Sequence, residues 1–147
     1  MQSNNSIAAL DRSFEQILDE FPQQRRTLHE RVGKAIQREL QSQITASGVN
    51  DPHGKVRRWQ VLHVGSKGGY AAIRPDDSDS GAITGFLEQG HKIASPRGGK
   101  GYRPRIKVAY VNGYHFYSAT SQRAESIAIA EAEDWADSLA RKLEGSL

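Results

Sequence analysis

The chain has 147 residues, a net charge of +3 and a hydrophobic fraction of 37%, enough for one domain with a modest core and a monomer marginal enough that assembly with neighbours is expected. It contains no cysteine, which excludes a disulfide framework and thiolate chemistry. No apolar run approaches the roughly 18 residues of a membrane span, and the opening "MQSNNSIAAL" lacks the basic-then-apolar pattern of a secretory signal.

Residues 6 to 21 read as a helix: Leu10, Phe14, Ile17, Leu18 and Phe21 form one apolar stripe. Pro22 predicts a break or the first turn of a new helix. Residues 23 to 47 form that second helix, with Leu28, Val32, Ala35, Ile36, Leu40 and Ile44 on its stripe and Gly48 as its stop. Its other faces carry Arg25, Arg26, Arg31, Lys34 and Arg38. Two readings of these cations stay open: a solvated helix face, or a surface turned to a partner or to DNA.

"VNDPHG" is a loop. Residues 56 to 66 alternate as a strand, residues 68 to 75 form another, and the Ser66-Lys67-Gly68-Gly69 turn joins them as a hairpin. "DDSDSG" (76 to 81) reads as a loop, and "AITGFLEQGHK" (82 to 92) fits a short helix or an extended segment. Residues 106 to 111 are a third strand candidate, and an alanine- and glutamate-rich helix runs over about 114 to 144. The order predicts an α+β fold, long amphipathic helices packed on a small, mainly antiparallel β-sheet, in a single domain spanning 1 to 147.

Between the last strand candidates lies "HKIASPRGGKGYRPRIK", residues 91 to 107. It carries Lys92, Arg97, Lys100, Arg103, Arg105 and Lys107 and no acid. Glycines and prolines predict a long flexible loop, and two readings of it stay open: a solvated, disordered connection, or a working part, since a loop of this length in a small domain is often functional. The terminal stretch from Ser121 is acid-rich, so the chain is polarised, as suits head-to-tail contacts between subunits or a basic lining for a polyanion.

Catalytic and metal chemistry find little support. The five histidines form no HxxxH or HExxH pair. "PRGGKG" lacks the Ser/Thr and the preceding strand of a phosphate loop, and Glu88 with His91 is a weak hydrolase pair without a GxSxG nucleophile. No enzyme activity, cofactor or metal is expected. His91 and His115 are expected to pack or hydrogen-bond at the two ends of the loop.

Two motifs flank that loop: "GFLEQGHK" (85 to 92) and "YVNGYHFYSA" (110 to 119), the second running into the terminal helix. A hydrophobic-Glu-x-Gly-His-basic segment, a variable loop, then Val-x-Gly-x-His-Phe resembles the tail-completion (head–tail joining, or neck) proteins of long-tailed bacteriophages. The specific likeness covers about 35 residues, and the order of elements extends it loosely over the chain. Gln89 stands where the family commonly has an aromatic or asparagine, and Asn112 where it has proline.

The resemblance implies a structural virion protein without catalytic residues. It would be monomeric when free and would self-associate in the virion into a ring, typically a hexamer. One face would dock the head connector (stopper) protein and the other the tail tube protein, with DNA passing through the channel and no membrane involved. It would reside in the tail neck and assemble in the host bacterial cytoplasm. Glu88, Gly90 and His91 would build one root of the loop, and Gly113, His115 and Phe116 the other, with Phe116 anchored in the core and Gly90 at positive φ. The basic side chains between them would line the channel or meet acidic surface on an adjacent protein. The alternative is a small DNA-binding protein that uses the same loop on phosphates without reading sequence.

Overall fold

The computed structural model describes residues 3 to 92 and 110 to 145; for residues 3 to 7, 10, 13, 14, 17 and 18 it describes the backbone only. Its elements are α1 (Ser3–Ala46), α2 (Lys55–Arg58), β1 (Gln60–Val64), β2 (Ala71–Pro75), α3 (Ser78–Gln89), β3 (Gly90–Lys92), β4 (Tyr110–Asn112) and α4 (Phe116–Glu144). The class is α+β, with the antiparallel pairing divided between two ribbons, β1–β2 and β3–β4. Arg97, Lys100, Arg103, Arg105 and Lys107 lie outside the described residues.

The two expected N-terminal helices are one, with Pro22 inside it. Proline removes a donor and crowds the carbonyl four residues back, a cost of about 3 kcal/mol in a helix interior. Here α4 splints both sides of the proline. Phe21 meets Trp135 edge-on at 6.5 Å, Glu20 pairs with Lys142 at 3.3 Å, and Arg31 pairs with Glu131 at 3.1 Å. The helix ends at Ala46, just before Gly48, as the sequence predicts.

The ion pairs between α1 and α4 fix their direction. Arg123 meets Glu39, Glu131 meets Arg31, and Lys142 meets Glu20. Eight residues forward on α4 match eight backward on α1 between the first two rungs, and eleven match eleven between the next two. The helices are therefore antiparallel in one constant register. Arg31, read from sequence as solvated or partner-facing, is instead a rung of this ladder.

Local carboxylates move two boundaries away from expectation. The strand predicted from residue 56 starts at Gln60, because Val56–Arg58 belong to α2. Asp51 turns that segment into a helical turn by accepting from the amides of Val56 and Arg57, each at 3.2 Å, and from Arg57 Nε at 3.3 Å. Burial pushes the Asp51 carboxyl upward, but these bonds outweigh it and hold the group below the usual carboxylate range. Likewise "DDSDSG", read as a loop, is helical in its last four residues. Asp77 accepts from the Ser80 amide at 2.7 Å while Ser80 Oγ accepts from the Asp77 amide at 3.0 Å, a reciprocal cap that starts α3 at Ser78.

The predicted hairpin forms, in register from Gln60 opposite Pro75 to Val64 opposite Ala71. Against it and α1 sits a small core of Leu40, Ile44, Val56 and Phe116, surrounded by half-buried Trp59, Ile73, Leu87 and Tyr117. The hub of this region is polar. Gln60 is fully buried; its amide donates to Val56 O at 3.1 Å and Thr84 Oγ1 at 3.0 Å, and accepts from Tyr117 Oη. Its main-chain carbonyl accepts from Gln37 at 2.8 Å. Leaving such an amide buried without partners costs about 1–3 kcal/mol, so the hub ties α1, α2, α3, β1 and α4 together by satisfaction rather than by volume.

Burial, and secondarily the charge of Glu88, push the Tyr117 phenol up to about 12. The neutral phenol is the form the fold favours. The contribution is whole below the ordinary value near 10 and is lost as pH rises through about 12. An alkaline titration followed by phenolate absorbance is expected to show one tyrosine ionising near 12, coincident with loss of stability and absent in Tyr117→Phe. Ionisation of every tyrosine near 10 would contradict the buried hub.

Candidate functional site

The two sequence motifs meet in space. α3 ends at Gln89 and the chain passes into β3 through Gly90, whose φ of 79° belongs to the region side chains avoid. Gly90 then lies opposite Asn112, His91 opposite Val111 and Lys92 opposite Tyr110. The segment between the motifs thus departs and returns at paired positions.

The corner beneath that pair is packed backbone against backbone. A Cβ on Gly90 would strike the Val111 carbonyl oxygen and the Gly113 amide nitrogen; one on Gly113 would strike the Glu88 carbonyl. Past Gly113 the Tyr114 amide donates to Leu87 O at 2.7 Å and the His115 amide to Glu88 O at 3.2 Å. These two bonds attach the approach to α4 onto the end of α3.

α4 opens without a cap of its own. The N-cap position is His115, held at φ 55° and ψ 33°, and its side chain makes no capping bond. The first amides of a helix nevertheless need acceptors. Glu88 supplies them from α3: one carboxylate oxygen accepts from the Tyr117 amide at 2.8 Å and the other from the Ser118 amide at 3.0 Å. A negative charge at a helix N-terminus is further favoured by the helix dipole. Phe116, between the cap and these amides, is 1% exposed and plugs the core.

Glu88, Gly90, His91, Gly113, His115 and Phe116 are thus brought to one place, with distinct parts. Glu88 caps, the glycines permit contact, Phe116 anchors, and His115 contributes a left-handed turn while its ring stays exposed. The His91 ring lies 5.2 Å from that of Phe86, with Nδ1 buried and without a hydrogen-bond partner among the described residues. Lys92 is exposed at the end of β3. The remaining candidates of the basic segment lie outside the described residues.

Sequence reasoning missed the role of Glu88 as a cap supplied from another element. The signal was present as a deficit: Tyr114-His115-Phe116 offers none of the residues that cap helices well, so an acceptor had to come from elsewhere. It also missed the apolar rim of the corner, where Phe86, Tyr110, Val111 and Tyr114 are 55%, 45%, 38% and 40% exposed. Among the described residues no cluster of three or more His, Cys, Asp or Glu is placed to hold a metal ion, and no helix is long and apolar enough to cross a membrane.

No protein-family model, curated protein or solved structure matches the chain. The corner therefore stands on its own geometry.

One substitution made at two glycines separates contact from propensity. Gly85 lies inside α3 with open space where a Cβ would go, whereas Gly113 faces the Glu88 main chain. Gly85→Ala is expected to stabilise by about 0.5–1 kcal/mol, and Gly113→Ala to destabilise by about 2 kcal/mol or more, both measured by urea unfolding. Equal effects at the two sites would contradict the interlocked corner.

Proposed function

We propose that this chain is a structural virion protein that joins a phage tail tube to the head connector, assembling as a ring around the DNA channel. The observation that carries the reading is the single corner built from both motifs. Glu88 grips the start of α4, Gly90 and Gly113 lock the backbones together, and Lys92 and Tyr110 stand side by side where the intervening basic segment leaves and returns. A joining protein needs such a part: a firm root at the base of the segment that meets an adjacent ring.

Two further features support it. Both Glu88 oxygens are engaged by main-chain amides, the use expected of a structural carboxylate rather than of a general base. The rim of half-exposed apolar side chains around the root has the character of protein contact surface. In this reading the segment, with Arg97, Lys100, Arg103, Arg105 and Lys107, meets the neighbouring ring or the channel. The tail tube protein and the head connector are the partners, the free chain is a monomer, and ring contacts form in the virion neck during assembly in the bacterial cytoplasm. Many weak subunit contacts acting together give such a ring its strength.

The test is electron microscopy of particles from a phage carrying this gene, with and without a stop codon in it. The expected result is DNA-filled heads and separate tails in the mutant, with joining restored by the intact gene and not by a Gly113→Ala copy. Normal attachment of tails to heads in the mutant would overturn the reading.

A further inference from the structure

α1 carries more cations than the fold uses. Arg25 donates to the Lys67 carbonyl at 3.2 Å, Arg26 pairs with Glu30, and Arg31 pairs with Glu131 and Asp134. Lys34 and Arg38 are exposed and make no ion pair or side-chain hydrogen bond among the described residues. They stand one helical turn apart, a spacing at which like charges repel. Folding gains nothing from that pair.

The same helix face continues through Gln41, Ser42 and Thr45, where α2 lies alongside. These three residues, with Gly54, Arg57 and Arg58, line an open concavity of about 480 Å³. Arg58 and Lys55, one turn apart on α2, are likewise exposed and unpaired among the described residues. The nearby acids are all engaged. Asp51 is held by the Val56 and Arg57 amides and the Arg57 guanidinium, Glu30 by Arg26, and Glu39 by Arg123.

We infer that this face, from Lys34 to Thr45 on α1 together with α2, binds the phosphate backbone of duplex DNA. Four such cations flanked by neutral amide and hydroxyl groups are the side chains that contact phosphate without reading bases. None of the exposed large apolar side chains lies on this stretch of α1 or on α2, so it lacks the aromatic and apolar anchors of a protein interface and the inserting residues of a membrane-surface helix. The face runs about 16 Å along α1, a length over which duplex DNA presents on the order of ten phosphate charges. The inference depends on neither the joining role nor the basic segment between β3 and β4.

The test is fluorescence anisotropy of the full chain with a short labelled duplex of arbitrary sequence, over about 50–200 mM salt. The variant Lys34→Gln/Arg38→Gln/Lys55→Gln/Arg58→Gln is expected to keep its circular dichroism and to bind at least about tenfold more weakly, with the slope of log affinity on log salt reduced by about 0.9 for each phosphate that is no longer neutralised. Lys34→Arg/Lys55→Arg should bind as the parent does. Arg97→Gln/Lys100→Gln/Arg103→Gln/Arg105→Gln should retain the part of the affinity that the helix variant loses. The inference is overturned if the parent chain does not bind the duplex, if the helix variant matches it, or if phosphatidylserine vesicles are held through the same four cations as tightly as the duplex. Head–tail joining is scored separately by microscopy, so either reading can fail alone.

Discussion

The grip of Glu88 on the first amides of α4 is the constraint on which the rest of this architecture turns. The bonds are charge-assisted, the Tyr117 one part-buried and the Ser118 one exposed. The more important effect is geometric. Glu88 stands at the end of α3 and the amides at the start of α4, so the carboxylate sets where the chain re-enters after the segment between β3 and β4. With the acceptor in place, Gly113 can lie on the Glu88 main chain, Gly90 can turn into β3, and Phe116 can enter the core. The charge also reaches Tyr117, reinforcing the burial that keeps that phenol neutral on Gln60.

A second device sets the long axis. Among the described residues the core contains few fully buried apolar side chains, and the ion pairs between α1 and α4 are partly exposed, so solvent screening leaves each of them weak. Their constant spacing gives them another use. They hold α4 in one register on α1 across Pro22, and therefore fix the position of the Glu88-bound end of α4 relative to the Lys34–Thr45 face. The two candidate interaction surfaces, the β3–β4 root and the cationic face of α1 with α2, are held on one scaffold by these pairs and by the Gln60 hub.

Much of this was legible in the sequence. The apolar stripe of Leu40 and Ile44, the stop at Gly48, the hairpin through Ser66-Lys67-Gly68-Gly69 and the terminal helix all follow from periodicity and turn chemistry, which are local signals. The grouping of Glu88, Gly90 and His91 with Gly113, His115 and Phe116 follows from motif resemblance; the β3–β4 register brings the two motifs together, with Gly90 against Gly113, and Gly113 and His115 against Glu88. What sequence reading lost was decided at a distance or by one side chain. Pro22 read as a break because the support from α4 lies more than a hundred residues away. Asp51 and Asp77 read as loop residues because their carboxylates make helix starts only when folded back onto particular amides. Arg31 and Lys34, three positions apart, looked equivalent until α4 claimed one of them.

The most direct test of the central constraint is amide hydrogen exchange, residue by residue, in the parent chain and in Glu88→Ala. The amides of Tyr117 and Ser118, bonded to the carboxylate, and those of Tyr114 and His115, bonded to the α3 carbonyls, are expected to be protected in the parent. All four should lose protection together in the variant, while the β1–β2 hairpin keeps its own. If Tyr117 and Ser118 exchange faster in Glu88→Ala but Tyr114 and His115 do not, the carboxylate is only a local cap and the corner is held by something else.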